Sequence, residues 1–205
     1  MTTELSSMDW IEQLIAVDTT SHKTNLPLLE LVSDRLNDLG ISTAIRPSPK
    51  GDKANLIATI PAANGETNGG LVFSGHTDVV PVDGQDWTSD PFVASVRDGR
   101  IYGRGTTDMK GFIGVALSMV PRILEAPLRK PIHFALSYDE EVGLHGGSQM
   151  LDDFRELGFN PRLCVVGEPT GMRVIRTHKS FSLVTVTVRG RDGHSSLAPL
   201  SLIHI

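Results

Sequence analysis

Residues 132–143 read IHFALSYDEEVG. The first half, Ile132–Ser137, is a short apolar run of the kind a sheet buries on both faces. The second half puts Asp139, Glu140 and Glu141 directly after it. Three adjacent carboxylates repel one another, so something must offset that repulsion. A cation does so naturally. Neighbouring side chains diverge in direction, so one carboxylate can ligate while the next stays free as a general base toward a metal-bound water. The competing reading is an acidic, solvent-exposed turn.

Three other segments repeat the design. LVFSGHTDVVP (71–81) carries His76 and Asp78 at i and i+2, which point the same way in extended chain. His76 can bind a metal through one ring nitrogen while Asp78 holds the other N–H; a solvated pair at a strand end is the alternative. GRGTTDMKG (103–111) places Asp108 at the mouth of a loop before a helix, where it could equally be the N-cap. LCVVGEPTG (163–171) ends an apolar strand in Glu168, which could be no more than a turn residue. The combination is what carries weight. Open α/β sheets bind ligands at strand ends. Mixed histidine and carboxylate donors suit zinc, cobalt or manganese better than magnesium or calcium.

Working outward, the spacing predicts helices over 4–17, 26–39, 109–120 and 146–157, with Met8, Ile11 and Ile15 on one face of the first. Asn25 is the expected cap of the second, Pro27 suits its first turn and Gly40 can close it. Strands are expected over 41–45, 55–60, 71–73, 132–137 and 163–166. Asn64-Gly65 and Asn68-Gly69-Gly70 suggest a hairpin between the second and third of these. Phe92–Val96 and Arg100–Tyr102, joined at Asp98-Gly99, suggest a smaller one. The alternation predicts an α/β fold with a central mixed sheet flanked by helices. Beyond Thr170 the pattern shifts to strands over 173–177 and 181–189, the start of a second, small α+β unit. The expected division is 1–179 and 180–205.

Composition narrows the function. Hydrophobic residues are 40% of the 205, enough for a core. A net charge of −5 argues against a nucleic-acid or membrane-surface partner. The one cysteine, Cys164, excludes a disulfide framework, favours the cytoplasm and, in an apolar strand, reads as an inert core thiol. His22, His133, His145 and His204 have no motif around them and read as solvated or packed. No apolar run is long enough to span a membrane.

GHTDVVP (75–81), YGRGTTDMKG (102–111), DEEVG (139–143) and GEPT (167–170), in this order, resemble the zinc amidohydrolase and exopeptidase family of acetylornithine deacetylase, succinyl-diaminopimelate desuccinylase and aminoacylase. DWTSDPF (86–92), DGRIYG (98–103) and GHSS (193–196) are also similar. The resemblance implies that His76 and Glu168 bind one metal, Glu141 binds a second and Asp108 bridges the two. It implies Asp78 as the residue orienting His76, Glu140 as general base, and His194 as a lid histidine stabilising an oxyanion across a homodimer. Two Zn2+, with Co2+ as an alternative, are the implied cofactors. HKSF (178–181) before GHSS is closer to the deacetylase type than to the desuccinylase. The implied reaction is hydrolysis of N-acetyl-L-ornithine to L-ornithine and acetate, with succinyl-diaminopimelate desuccinylase or another N-acyl amino acid amidohydrolase, or an inactive metal-binding fragment, as alternatives. The family pattern contains one more metal-binding histidine far toward the C-terminus, and LSLIHI (200–205) does not resemble it. The expectation is a truncated chain whose last five residues are artefactual and which has little activity alone.

Overall fold

A computed structural model describes residues 5–177 and 184–189. The chain divides into two units, Met1–Gly171 and Met172–Ile205. Every element below belongs to the first.

Helix α1 (Ser7–Ala16) opens with a capping box: the Ser6 side chain accepts from the Asp9 N–H, and the Asp9 carboxylate accepts from the Ser6 N–H. Helix α2 (Leu26–Asp38) ends at Gly40, whose positive φ lets the Gly40 and Ile41 N–H groups bond back to Asn37 and Leu36. Asn25 precedes α2 but does not cap it. Its amide instead donates to the Ala54 carbonyl and Thr77 Oγ1, and its oxygen accepts from the Ala54 N–H. A buried amide that can satisfy two distant segments at once outcompetes a cap, which water can replace.

Strands β1 (Thr43–Pro47), β2 (Ala54–Ile60), β3 (Leu71–His76), β6 (Ile132–Ser137) and β7 (Leu163–Val166) form one sheet in the order β1-β2-β6-β3-β7. The β1–β2 and β2–β6 pairs are antiparallel, while the β6–β3 and β3–β7 pairs are parallel. The expected α/β class with a mixed sheet is therefore present. The expected β2–β3 hairpin is not, because β6 lies between the two strands. The glycine-rich turns instead carry the chain around the edge of this insertion. Gly70 marks the re-entry: φ is +77°, and a Cβ there would lie 2.0 Å from the Pro131 carbonyl oxygen. The smaller hairpin is present as β4 (Ser95–Arg97) and β5 (Arg100–Tyr102), with Asp98 and Gly99 both at positive φ in the turn.

Alternate residues of the central strands face two cores. Leu56, Ala58, Ile60, Phe134 and Leu136 pack with α1, α2 and α3 (Lys110–Ser118) on one face. Ile57, Val72 and Ala135 pack with Met150 of α5 (His145–Glu156) on the other. The expected helix over 109–120 is α3, followed by the short α4 (Val120–Leu124). Gly114 lets α3 press onto α1, since a Cβ there would meet Ile11 at 2.8 Å.

Two strand expectations fail on environment. β7 forms where predicted, but all four of its residues are exposed, Leu163 by 61% and Val166 by 55%. Among the described residues it has a partner strand on one side only. Cys164 is exposed with it and is not a core thiol. The described residues 173–177 and 184–189 form no ladder and are exposed. Extended chain needs a paired neighbour to become a strand, and none pairs with them among the described residues. His178, His194 and His204 lie outside the described residues.

Candidate metal centre

The parallel strands β3 and β6 end side by side, with His76 paired to Ser137 in the register. This places His76 and the 139–141 turn together, and β7 on the far side of β3 delivers Glu168. The loop before α3 brings Asp108 over the same spot. His76 Nε2 lies 2.9 Å from Asp108 Oδ1 and 3.8 Å from Glu168 Oε1. The ligand atoms of His76, Asp108 and Glu168 lie within 4.8 Å of one another, and so do those of His76, Glu140 and Glu141. Zinc holds such donors at about 2.0–2.2 Å, so two ligands of one ion stand up to roughly 4 Å apart. The donor set and its span fit a divalent ion after small side-chain adjustments.

His76 is 2% exposed, and both its ring nitrogens are committed. Nδ1 is 2.9 Å from the Asp78 backbone carbonyl and 3.6 Å from the Asp78 carboxylate. The sequence assigned the second ring nitrogen to Asp78 without naming an atom; the closer partner is the backbone carbonyl of that residue. The carboxylate is occupied elsewhere. Its Oδ1 accepts from the Glu140 N–H at 3.0 Å, and its Oδ2 accepts from the Glu141 N–H at 3.3 Å and the Ser21 hydroxyl at 2.8 Å.

The electrostatics favour positive charge at this spot. Burial alone would lower the His76 pKa, but Asp78 and Asp108 outweigh it and push the ring up to about 9. Burial also opposes charge on Asp78, yet the His76 ring, the Ser21 hydroxyl and the Glu140 N–H hold its carboxyl below the usual range. Glu141 is raised by burial and then by Asp108, and Glu168 is raised by burial and by Asp108 against the pull of His76. Carboxylates crowded upward in this way gain from a shared cation.

Asp108 does not cap α3. No side-chain cap is present at that helix, and the Asp108 carboxylate turns to His76. Asp139 also departs from the acidic-turn picture: its side chain pairs with Lys53. Two lysines were missed by the sequence reading. Lys53 joins Asp139 to the Ser21 carbonyl. Lys110, 0% exposed, donates to the Leu14 and Val17 carbonyls at 3.0 and 2.6 Å and so holds the C-terminus of α1 against the start of α3. Burial depresses its pKa to about 8. A lysine inside DMKG gives no hint that its partners lie more than ninety residues upstream.

The family model for peptidase family M20/M25/M40 matches residues 72–198, which include every candidate metal ligand described above. The chain belongs to this family. It is 34% identical over 182 residues to an acetylornithine deacetylase of Shigella sonnei, covering 88% of this chain and 46% of the relative. The chain thus spans about half the length of the curated relative it matches. Human carnosine dipeptidase 1 superimposes with a TM-score of 0.65 at 25% identity, over 78% of this chain and 38% of that one. A metallo-carboxypeptidase of the same family from Sulfolobus solfataricus superimposes with a TM-score of 0.68 at 18% identity, over 80% of this chain and 37% of that one. The last likeness bears on the fold alone. Among the described residues no helix is long and apolar enough to cross a membrane.

Proposed function

We propose that this chain carries most of the catalytic site of a metal-dependent amidohydrolase that cleaves N-acetyl-L-ornithine to L-ornithine and acetate. The observation that supports this best is the convergence of carboxylates from three other segments on buried His76. The identity to an acetylornithine deacetylase supports the substrate class, a small N-acyl amino acid.

In this reading His76, Asp108 and Glu168 hold one ion, and Asp108 and Glu141 contribute to a second. Zinc suits the donors best, and cobalt is the alternative. Bound divalent ions supply Lewis acidity, which polarises the amide carbonyl and acidifies water. Glu140 takes a proton from the attacking water and returns it to the leaving amine as the C–N bond breaks. The water oxygen leaves in acetate. Asp78 fixes the tautomer of His76. His194 offers a donor to the oxyanion from a lid that begins near residue 180 and pairs two copies of the protein. Residues 1–179 form the catalytic domain in this reading, and the compartment is the cytoplasm.

A second reading, hydrolysis of small peptides, draws on the likeness to human carnosine dipeptidase 1. The test joins metal titration to a substrate panel: N-acetyl-L-ornithine, an N-succinyl diamino acid, N-acetylmethionine and a dipeptide. The expected result is zinc binding that His76→Ala abolishes, with whatever chelator-sensitive cleavage the chain carries confined to N-acetyl-L-ornithine and lost in Glu140→Gln. Preferred cleavage of the dipeptide would favour the second reading. Absence of His76-dependent metal binding would refute both.

A further inference from the structure

Two residues outside the donor set, Ser21 and Lys53, form a closed ring of hydrogen bonds behind the 139–141 turn. Ser21 is 6% exposed and Lys53 9%. The Ser21 hydroxyl donates to Asp78 Oδ2 at 2.8 Å. Asp78 accepts the Glu140 and Glu141 N–H groups. Asp139, the residue before them, pairs with Lys53, and Lys53 donates back to the Ser21 carbonyl. The ring therefore runs from Ser21 through Asp78, the turn, Asp139 and Lys53 to Ser21 again. Ser21 itself is anchored, because its N–H donates to the Val79 carbonyl at 3.0 Å.

The turn needs this support. Asp139 sits at φ +54°, a conformation that costs a non-glycine residue free energy and persists only where its surroundings hold it. Lys53 supplies one hold by fixing the Asp139 side chain. Asp78 supplies the other by gripping the next two N–H groups. With the backbone gripped from behind, the Glu140 and Glu141 side chains are left to reach His76.

We propose that Ser21 and Lys53 are positioning residues that set the aim of Glu140 and Glu141. They act through Asp78 and Asp139 and touch neither metal nor substrate. This inference rests on the metal-centre reading only for its functional consequence. The backbone restraint stands without it.

The experiment uses this chain and the variants Ser21→Ala, Lys53→Met and Lys53→Arg. The first readout is amide hydrogen exchange without metal, followed at Glu140 and Glu141 and, as a control, at Leu56–Ala58 and Phe134–Leu136. Ser21→Ala and Lys53→Met should speed exchange at Glu140 and Glu141 by about tenfold and leave the control strands unchanged, as local openings do. Lys53→Arg should restore most of the protection. The second readout is Co2+ titration by visible absorption. Partners behind metal ligands commonly contribute about 10–100-fold in affinity, so Ser21→Ala should weaken binding by about tenfold. Wild-type exchange at the turn in both disruptive variants would overturn the inference, as would equal acceleration in the control strands. Should Lys53→Met fail to fold, Ser21→Ala decides alone. Should the wild-type chain bind no Co2+, the metal reading fails, and the exchange data still decide the clamp.

Discussion

Strands β6 and β7 flank β3 on opposite sides, run parallel to it and end in carboxylates, yet they live in different surroundings. In β6, Phe134, Ala135 and Leu136 are at most 2% exposed. In β7, Val165 is 36% exposed and Val166 55%. Both read as apolar strands. The difference is neighbours: β6 has strands on both sides, with α5 packed on it, while β7 is an edge among the described residues. It extends to their acids. The turn after β6 is gripped by Asp78 and Lys53. Glu168, after β7, lies 3.8 Å from His76 in a half-exposed setting. A centre assembled from both has one rigid wall and one lightly held one.

The largest test compares the strands directly. Leu136→Ala removes a buried side chain from a close-packed core and should cost about 2–5 kcal/mol in urea denaturation. Val165→Ala should change stability by about 0.5 kcal/mol or less, as exposed substitutions do. Similar costs for both would mean that β7 is covered in solution.

Metal binding should act unevenly on the two walls. An ion at a hundred times its Kd stabilises the folded state by about 2.7 kcal/mol. Under that load, zinc should slow amide exchange at Gly167, Glu168 and Thr170 more than at Glu140 and Glu141, because the clamped turn has less freedom to lose. The reverse order would show that the turn, not the β7 end, is the mobile wall.

Gly167 offers a sharper probe of the β7 side. A Cβ at this position would lie 2.0 Å from the Phe112 ring. Gly167→Ala should therefore cost about 1–3 kcal/mol, as overpacking does. It should also weaken zinc binding by displacing Glu168. Adding Phe112→Ala should restore affinity while leaving the stability loss, and a failure to do so would separate the Phe112 contact from the aim of Glu168.

The grouping of the candidate metal ligands was more legible in the sequence than the sheet. His76, Asp108, Glu140, Glu141 and Glu168 each sit where a strand ends or a helix begins, and donor chemistry restricts residue type strongly. The β2–β3 hairpin failed because local turn signals say nothing about a strand that arrives seventy residues later. Asn25 failed as a cap because its partners, Ala54 and Thr77, are brought to it only by the fold. Lys53 and Ser21 gave no signal at all: a lysine before a strand reads as a solvated residue until Asp139 is placed beside it. Exposure of β7 was invisible for a similar reason, since apolar composition specifies a strand without specifying its coverage.

The smallest effect lies one rung down the same ladder, where Val72 of β3 pairs with His133 on one side and Cys164 on the other. His133 is buried, with Nδ1 2.9 Å from Thr59 Oγ1 and Nε2 2.9 Å from the Gly69 carbonyl. Burial lowers its pKa, with the Gly69 carbonyl opposing. The folded state then binds this proton more weakly than the unfolded state, whose ring titrates near about 6.5. His133 should thus contribute stability above that pH and lose it as pH falls toward its own lower pKa. The loss between pH 7.5 and 5.5 should shrink in His133→Asn, measured against wild type in urea. Cys164 supplies the contrast. Partial shielding raises its thiol pKa, so no proton uptake near neutral pH is expected there, and its exposure predicts slow but complete labelling by a thiol reagent in the native protein. A thiol that reacts only on unfolding would place β7 in the same buried environment as β6.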